Sequence, residues 1–268
     1  STTTAVSNTA VGRSALSTNS TGSQNTAVGR SSLGANTTAQ DNTAVGFNAL
    51  LVNTTGHSNA AVGASSLDAN TTGIRNTALG FESLSANTEG TQNTAVGKGA
   101  LLVNTTGIEN TGIGASALDA NTTGDFNTAV GQGALDSNTT ADNNTALGHD
   151  SLKANTTGEY NVAVGAIAGD ALTTGSLNTA LGYNTLGVAT TAANNTAVGA
   201  QALAINTSGA NNTSVGQNSM VANTEGSNNV AVGALTLDAA TTADNNTAVG
   251  QGAMSGTTTG AGNTGVGL

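Results

Sequence analysis

The side chains that could support catalysis or bind a metal are few and widely separated. The chain has two histidines, His57 and His149, and no cysteine. Without a thiol, a cysteine nucleophile and a thiolate metal site are excluded. No serine or threonine nucleophile has a histidine base at a matching place in the sequence pattern described below. We therefore expect a protein that is not an enzyme and that has no metal site and no cofactor.

Carboxylates are more numerous, with 15 Asp and Glu against five Lys and Arg. Asp68, Asp119, Asp136 and Asp238 recur at one place in the pattern, but the Gly-rich calcium-binding signature of other β-rolls is absent. Solvated surface charge is the expected role. The net charge of −10 argues against nucleic acid and anionic membrane as partners, and no apolar run approaches the roughly 18 residues of a membrane span.

The element that must position these side chains is a strict 17-residue repeat. Its core is the pentad Asn25 to Gly29, which recurs with small changes. A period without insertions indicates one structural unit stacked on itself. We number the repeat from its Asn as position 1. The sixteen copies begin at Asn8, Asn25, Asn42, Asn59, Asn76, Asn93, Asn110, Asn127, Asn144, Asn161, Asn178, Asn195, Asn212, Asn229, Asn246 and Asn263.

The length of the repeat limits the architecture. Helical-hairpin repeats need about 33 residues or more, propeller blades about 40 and leucine-rich repeats about 20 to 29. We therefore predict an all-β fold, a parallel β-solenoid of about sixteen 17-residue coils that forms a single domain over residues 1–268.

Two positions are aliphatic in nearly every coil. Position 4 is Val, Leu or Ile, and position 9 is Leu or Met, as at Val28 and Leu33. Because side chains alternate along a strand, we place positions 2 and 4 inward and positions 3 and 5 outward. Position 11, as at Val52, is expected to join position 9 inside. The invariant glycine of position 5 predicts a bend with positive φ or a close backbone approach, and the Gly or Ala of position 15 predicts a second corner.

Stacking explains the polar repeats. Identical side chains one coil apart lie above each other, so the asparagines of positions 1 and 12 are expected to form ladders through their amides. The threonines of positions 2 and 13 are expected to stack in the same way. The ladder residues are Asn25, Asn42 and Asn59 at position 1, and Asn36, Asn53 and Asn70 at position 12.

The stretch from Asn25 to Leu33 resembles the repeat of the YadA-like head domains of trimeric autotransporter adhesins, and similar repeats occur in bacterial and phage fibre proteins. The match covers about a third of each coil. It departs from that family in its 17-residue period and in having Thr where the family prefers Val. The resemblance implies a left-handed parallel β-roll at the cell surface or outside the cell.

Neither end of the sequence carries an atypical capping segment, and bare terminal coils expose unpaired backbone groups. We expect head-to-tail stacking of copies into a filament, with lateral bundles or a trimer as further contacts. The expected function is a structural subunit of an extracellular fibre. The alternatives are a trimeric adhesin head or phage fibre segment that binds a surface receptor, and an ice-binding solenoid built on the threonines of positions 13 and 14. The predicted polymerisation interface is Thr3, Thr4, Ala5, Val6, Asn8, Asn263, Thr264, Val266 and Leu268.

One coil departs from the pattern. From Asn161, Gly169 occupies the usual Leu position and Leu172 the usual Asn position, which predicts a local repacking within an unchanged length of 17 residues. Exposed aromatic residues at positions 6 and 17, such as Phe47 and Tyr160, are candidates for lateral contacts between solenoids.

Overall fold

The computed structural model describes residues 4–267 and confirms the predicted fold class: the chain is an all-β parallel solenoid. Each coil contributes one three-residue strand, and the strands begin every 17 residues. The described chain divides into two compact units, one ending at Gln132 and the other beginning at Gly133.

The first unit contains eight strands that pair in chain order, parallel and in register, so that Thr26 lies opposite Thr43 and Val28 opposite Val45. Its strands are β1 (Thr9–Val11), β2 (Thr26–Val28), β3 (Thr43–Val45), β4 (Ala60–Val62), β5 (Thr77–Leu79), β6 (Thr94–Val96), β7 (Thr111–Ile113) and β8 (Thr128–Val130).

The second unit repeats this arrangement, and Val162 lies opposite Thr179 in the same register. Its strands are β9 (Thr145–Leu147), β10 (Val162–Val164), β11 (Thr179–Leu181), β12 (Thr196–Val198), β13 (Thr213–Val215), β14 (Val230–Val232), β15 (Thr247–Val249) and β16 (Thr264–Val266).

The predicted facing of the strand residues is wrong. Ala27 and Ala44 at position 3 are fully buried, whereas Leu79 at position 4 is 47% exposed. The space inside a coil explains the difference: a Cβ built at Gly112, which occupies position 3 in β7, lies 3.4 Å from Cγ of Leu101 at position 9 of the preceding coil. Because the position 9 side chain already fills the interior, only a small residue fits at position 3, and the branched residues point outward.

Position 11 is also outside the core, since Val52 is 37% exposed. Its place is taken by position 8, which is Ala, Ser or Thr and is buried, as at Ala49 and Ser66. The hydroxyl of Ser66 donates to the carbonyl of Gly63 at 2.9 Å and closes the turn that follows the strand. The core is therefore built from positions 3, 8 and 9, with the leucine of position 9 fully buried, as the sequence predicts.

Glycine at position 5 is required for both predicted reasons. Gly46 has a φ of 145°, and a Cβ there would collide with the carbonyl oxygen of Gly63 in the next coil. The backbone therefore bends where only glycine fits.

Positions 7, 9 and 17 also have left-handed φ, and in most coils they are not glycine, as at Ser31 (59°), Leu33 (49°) and Asp41 (59°). Such a conformation costs about 1 kcal/mol or more per residue. Each of these residues donates its N–H to a neighbouring coil, at 2.9 Å, 3.0 Å and 3.1 Å respectively. The corners are thus held by coil-to-coil hydrogen bonds in addition to those of the strands.

Candidate assembly site

The asparagines of position 1 form a continuous buried ladder within each unit. Nδ2 of Asn25 donates to the carbonyl of Ala39 at 2.9 Å, and its Oδ1 accepts from the backbone N–H of Asn42 at 3.0 Å. Asn42 in turn accepts from the N–H of Asn59 at 2.9 Å. Each side chain therefore joins the corner of its own coil to the residue that precedes the strand of the next coil.

The asparagines of position 12 form a second ladder, in which amides bond directly to amides. Nδ2 of Asn53 donates to Oδ1 of Asn36 at 3.1 Å and to the carbonyl of Gly56 at 2.8 Å. Asn70 donates to Asn53 at 2.8 Å. All three side chains are fully buried, and the row gives the corner at position 15 its hydrogen-bonded support.

This second ladder is interrupted in the second unit. Leu172 and Ala240 occupy position 12 where an asparagine would donate. As a result, Oδ1 of Asn155 and Oδ1 of Asn223 are buried without a hydrogen-bond donor among the residues that the structure describes.

The irregular coil shows the predicted repacking. Leu172 is fully buried, and a Cβ built at Gly169 lies 3.1 Å from both Cδ1 of Leu172 and Cδ2 of Leu152. The leucine of position 12 therefore fills the space that the leucine of position 9 fills in other coils. The glycine at 169 makes room for it.

The predicted polymerisation residues lie at the two open ends of the described chain, except Thr3 and Leu268, which are outside the described residues. Ala5 and Val6 stack on the first complete coil, where the carbonyl of Val6 accepts from the N–H of Gln24 at 3.0 Å; Thr4 is exposed beside them. Asn8 and Asn263 are the end members of the position 1 ladder, with Asn263 donating to Asn246 at 3.0 Å.

The end coils expose side chains that are partly covered elsewhere. Val266 in β16 is 79% exposed and Val11 in β1 is 58% exposed, against 39% for the equivalent Val249 one coil inside. Thr264 in β16 is exposed as well. Among the strands that the structure describes, β1 and β16 are the first and the last of the order, and each pairs with one neighbour.

Known proteins give no guide to the role of these edges. No family model matches the chain, and no curated protein sequence is significantly similar to it.

The residues that the structure describes form no pocket, and no three histidine, cysteine, aspartate or glutamate side chains among them lie together as a metal site. No helix that could cross a membrane occurs in this part of the chain.

The titratable candidates are dispersed. Nδ1 of His57 lies 3.2 Å from the hydroxyl of Ser58, and Nδ1 of His149 lies 3.7 Å from Asp150, whose other neighbour is the Lys153 ammonium at 3.1 Å. The two histidines belong to different units.

The position 10 carboxylates are half-buried and not fully solvated. The hydroxyl of Ser85 donates to Asp68 at 2.7 Å. Burial raises the pKa of Asp136 above its ordinary value, an effect that Lys153 opposes and Asp150 adds to. Desolvation likewise raises the pKa of Asp170, which sequence reasoning missed because it lies in the irregular coil.

The threonines of positions 13 and 14 differ in exposure. The hydroxyl of Thr54 at position 13 is used within the stack, donating to the carbonyl of Thr71 at 3.0 Å. Thr55 at position 14 is exposed. Only one threonine column therefore faces solvent at this corner.

Proposed function

We propose that the chain is a structural subunit of an extracellular fibre or filament, which extends by stacking further coils on its open strand edges. The observation that carries this proposal is the repetition of the coil-to-coil junction: the same strand register and the same bonds of the position 1 asparagines join one coil to the next within each unit. An edge built in this way accepts another coil of the same sequence, whether from further chain or from a second copy.

The pattern of backbone hydrogen bonds defines the junction between two copies. Inside the first unit, the N–H of Thr26 donates forward to the carbonyl of Asn42, and the N–H of Gly29 donates backward to the carbonyl of Val11, each at 2.8 Å. Applied to the ends, the N–H of Thr264 would donate to the carbonyl of Asn8 of a second copy. The N–H of Gly12 of that copy would donate to the carbonyl of Val266.

Electron microscopy of the purified chain at rising concentration tests this function. We expect threads that lengthen with concentration, because each added copy leaves a new open edge. Discrete rods of fixed length at every concentration would contradict it, and they are what a trimeric adhesin head or phage fibre segment would form.

The change Thr264→Pro tests the junction itself. Proline removes the N–H that would donate to the next copy, while no described coil uses that N–H within the chain. We expect the threads to be lost and the fold, read by circular dichroism, to be kept.

The matched control is Thr264→Val, which keeps the N–H and places at position 2 the residue found at Val162 and Val230. Threads of equal length from both variants would show that this edge does not assemble copies.

A further inference from the structure

We propose that the junction between the coil of residues 144–160 and the irregular coil of residues 161–177 is an acid-sensitive contact, which is looser at neutral pH and tighter in mild acid. Asp170 is the group that responds, through a cluster that it forms with Asp150 and Lys153. The contact lies wholly inside the second unit, so the proposal does not depend on whether copies of the chain assemble.

Asp170 and Lys153 are neighbours in the stack. The N–H of Ala154 donates to the carbonyl of Asp170 at 3.0 Å, and the N–H of Ser137 donates to the carbonyl of Lys153, also at 3.0 Å. Both bonds join position 11 of one coil to position 10 of the next coil. The backbones of Lys153 and Asp170 are therefore about 4.8 Å apart, the spacing of paired strands.

The ammonium of this cluster is shared among too many carboxylates. Nζ of Lys153 lies 3.1 Å from Oδ2 of Asp150 in its own coil, and Nδ1 of His149 lies 3.7 Å from the same oxygen. Asp136 occupies position 10 one coil before Lys153, and Asp170 occupies it one coil after. Because Lys153 is already paired with Asp150, it does not neutralise Asp170.

The other neighbours of Asp170 offer it no cation. The rest of its own coil and the whole following coil, residues 178–194, contain no charged residue and no histidine, and position 10 of that following coil is Gly187. The remaining charged residue of the preceding coil, Glu159, is at position 16 and is acidic. Lys153 and Asp150 are thus the charges that decide the state of the Asp170 carboxyl.

Asp170 is poorly placed to carry a charge. The residue is half-buried, and its Oδ1 is buried and finds no hydrogen-bond donor in the described part of the chain. Burial raises the pKa of Asp170, and the charge of Asp150 adds to this effect. The backbone N–H groups of Asp170 and Ala171 and the Lys153 ammonium oppose it without cancelling it.

Acid tightens the junction because the carboxyl is easier to protonate in the closed coil than in the opened one. At neutral pH, Asp170 is ionised in both states, and the closed state bears the cost of a half-buried charge that Asp150 repels. This cost is removed as the pH falls through the raised pKa. The stabilisation is complete below the ordinary pKa of an aspartate, at which the opened coil is protonated as well.

The same junction has fewer polar bonds than its equivalents. Leu172 replaces the asparagine of position 12, so Oδ1 of Asn155 is buried there without the amide donor that Asn53 receives from Asn70. Local opening concentrates where such bonds are few. A change in the charge of Asp170 is therefore expected to alter the opening of this junction more than that of the regular junctions.

Hydrogen exchange of the whole chain, corrected for the intrinsic effect of pH, tests the proposal. The amides of Leu152 and Ala154 report on the junction, because they donate across it to Ala168 and Asp170 at 3.0 Å each. We expect their protection to rise about threefold or more between about pH 7 and about pH 4.5. In Asp170→Asn, protection should be high at neutral pH and should change less on acidification.

Other groups change their charge over the same pH range in both proteins, so the difference between the wild-type chain and Asp170→Asn isolates Asp170. An identical pH response of the two proteins would overturn the proposal.

The matched control is Asp238→Asn. Asp238 also occupies position 10 in the second unit, is half-buried, and has an Oδ1 without a hydrogen-bond donor among the described residues. Its neighbours at position 10 are Val221 and Ser255, so it lacks the charged cluster. Asp238→Asn should leave the pH response of the Ala154 amide unchanged, and an effect equal to that of Asp170→Asn would assign the response to overall charge and refute the proposal.

Lys153→Met tests the cluster with the opposite sign. This change removes the cation that opposes the raised pKa of Asp170, so protection of the Ala154 amide should fall at neutral pH and the gain on acidification should increase. A gain no larger than that of the wild-type chain would show that Lys153 and Asp170 do not act on each other, contrary to the proposed cluster.

Discussion

At the scale of the residue, the chain replaces a large apolar core with buried asparagines. Each asparagine of position 1 meets two requirements at once: its side-chain carbonyl accepts from the N–H of the next position 1 asparagine, and its amide donates to a corner carbonyl. Buried amides of this kind are costly unless every group is paired. The sequence predicts the ladders because the repeat is strict. It does not reveal that Oδ1 at position 1 accepts from a backbone N–H, whereas Oδ1 at position 12 accepts from a side-chain amide.

Asn76→Ala should therefore be among the most damaging single changes in the first unit. It leaves the buried N–H of Asn93, now bonded at 2.9 Å, without a partner. It also removes one of the two donors to the carbonyl of Gly90, which keeps only Nδ2 of Asn87. We expect a loss of about 2 to 4 kcal/mol in the free energy of unfolding, measured by urea denaturation. Thr106→Ala, on the exposed corner, serves as the control and should change stability by less than about 0.5 kcal/mol. An equally small change in the free energy of unfolding for both variants would mean that the ladder hydrogen bonds make no net contribution to stability.

At the scale of the element, the interior of a coil has a fixed volume. A leucine at position 12 can fill it in place of the leucine at position 9. The period, the strands and the glycine bend were predictable from the sequence, because backbone geometry repeats with the residues that require it. The facing of the strand was not, because both faces are apolar in this protein. In β2, Ala27 and Val28 face opposite sides of the strand, and hydrophobicity alone would place the larger valine inside. Alanine lies inside instead, because Leu33 and its equivalents already fill the interior.

The irregular coil gives the prediction at this scale. Leu172→Asn alone removes a buried leucine and should cost about 2 to 4 kcal/mol, and Gly169→Leu alone should overpack the interior by about 1 to 3 kcal/mol. Together they restore the common pattern and give Oδ1 of Asn155 a donor. The double variant should therefore be at least as stable as the wild-type chain in thermal unfolding. If the stability losses of the two single variants added in the double variant, the side chains at 169 and 172 would not fill the same space.

At the scale of the whole molecule, stability comes from neighbouring coils, since each coil bonds only to the coils before and after it within its unit. Stability in such a chain is close to a sum over coils and junctions. The proposed assembly would depend on the same property, because a junction between copies would use the bonds of a junction inside the chain.

Deleting one whole repeat should accordingly be milder than deleting one residue. Removal of residues 76–92 joins position 17 to position 1 and keeps every register, so the fold should persist with slightly lower stability. Removal of Ala78 alone turns the aliphatic Leu79 toward the filled interior and breaks the alternation of β5. Circular dichroism and thermal unfolding would compare the two deletion variants. A larger loss of stability in the 17-residue deletion than in the Ala78 deletion would contradict this prediction.

The asparagine ladders also have a dipole along the stacking direction. Backbone hydrogen bonds between coils run both forward and backward, so their dipoles largely cancel. The side-chain carbonyls do not alternate: Oδ1 of Asn8 accepts from Asn25, Oδ1 of Asn36 from Asn53, and every such bond has its acceptor in the earlier coil. Aligned amides polarise one another, so the asparagine ladders place a positive pole where the coils of a unit begin and a negative pole where they end, as a helix does. The threonine hydroxyls of position 13 donate in the opposite direction and reduce this dipole. Two stacks placed end to end attract in one orientation only.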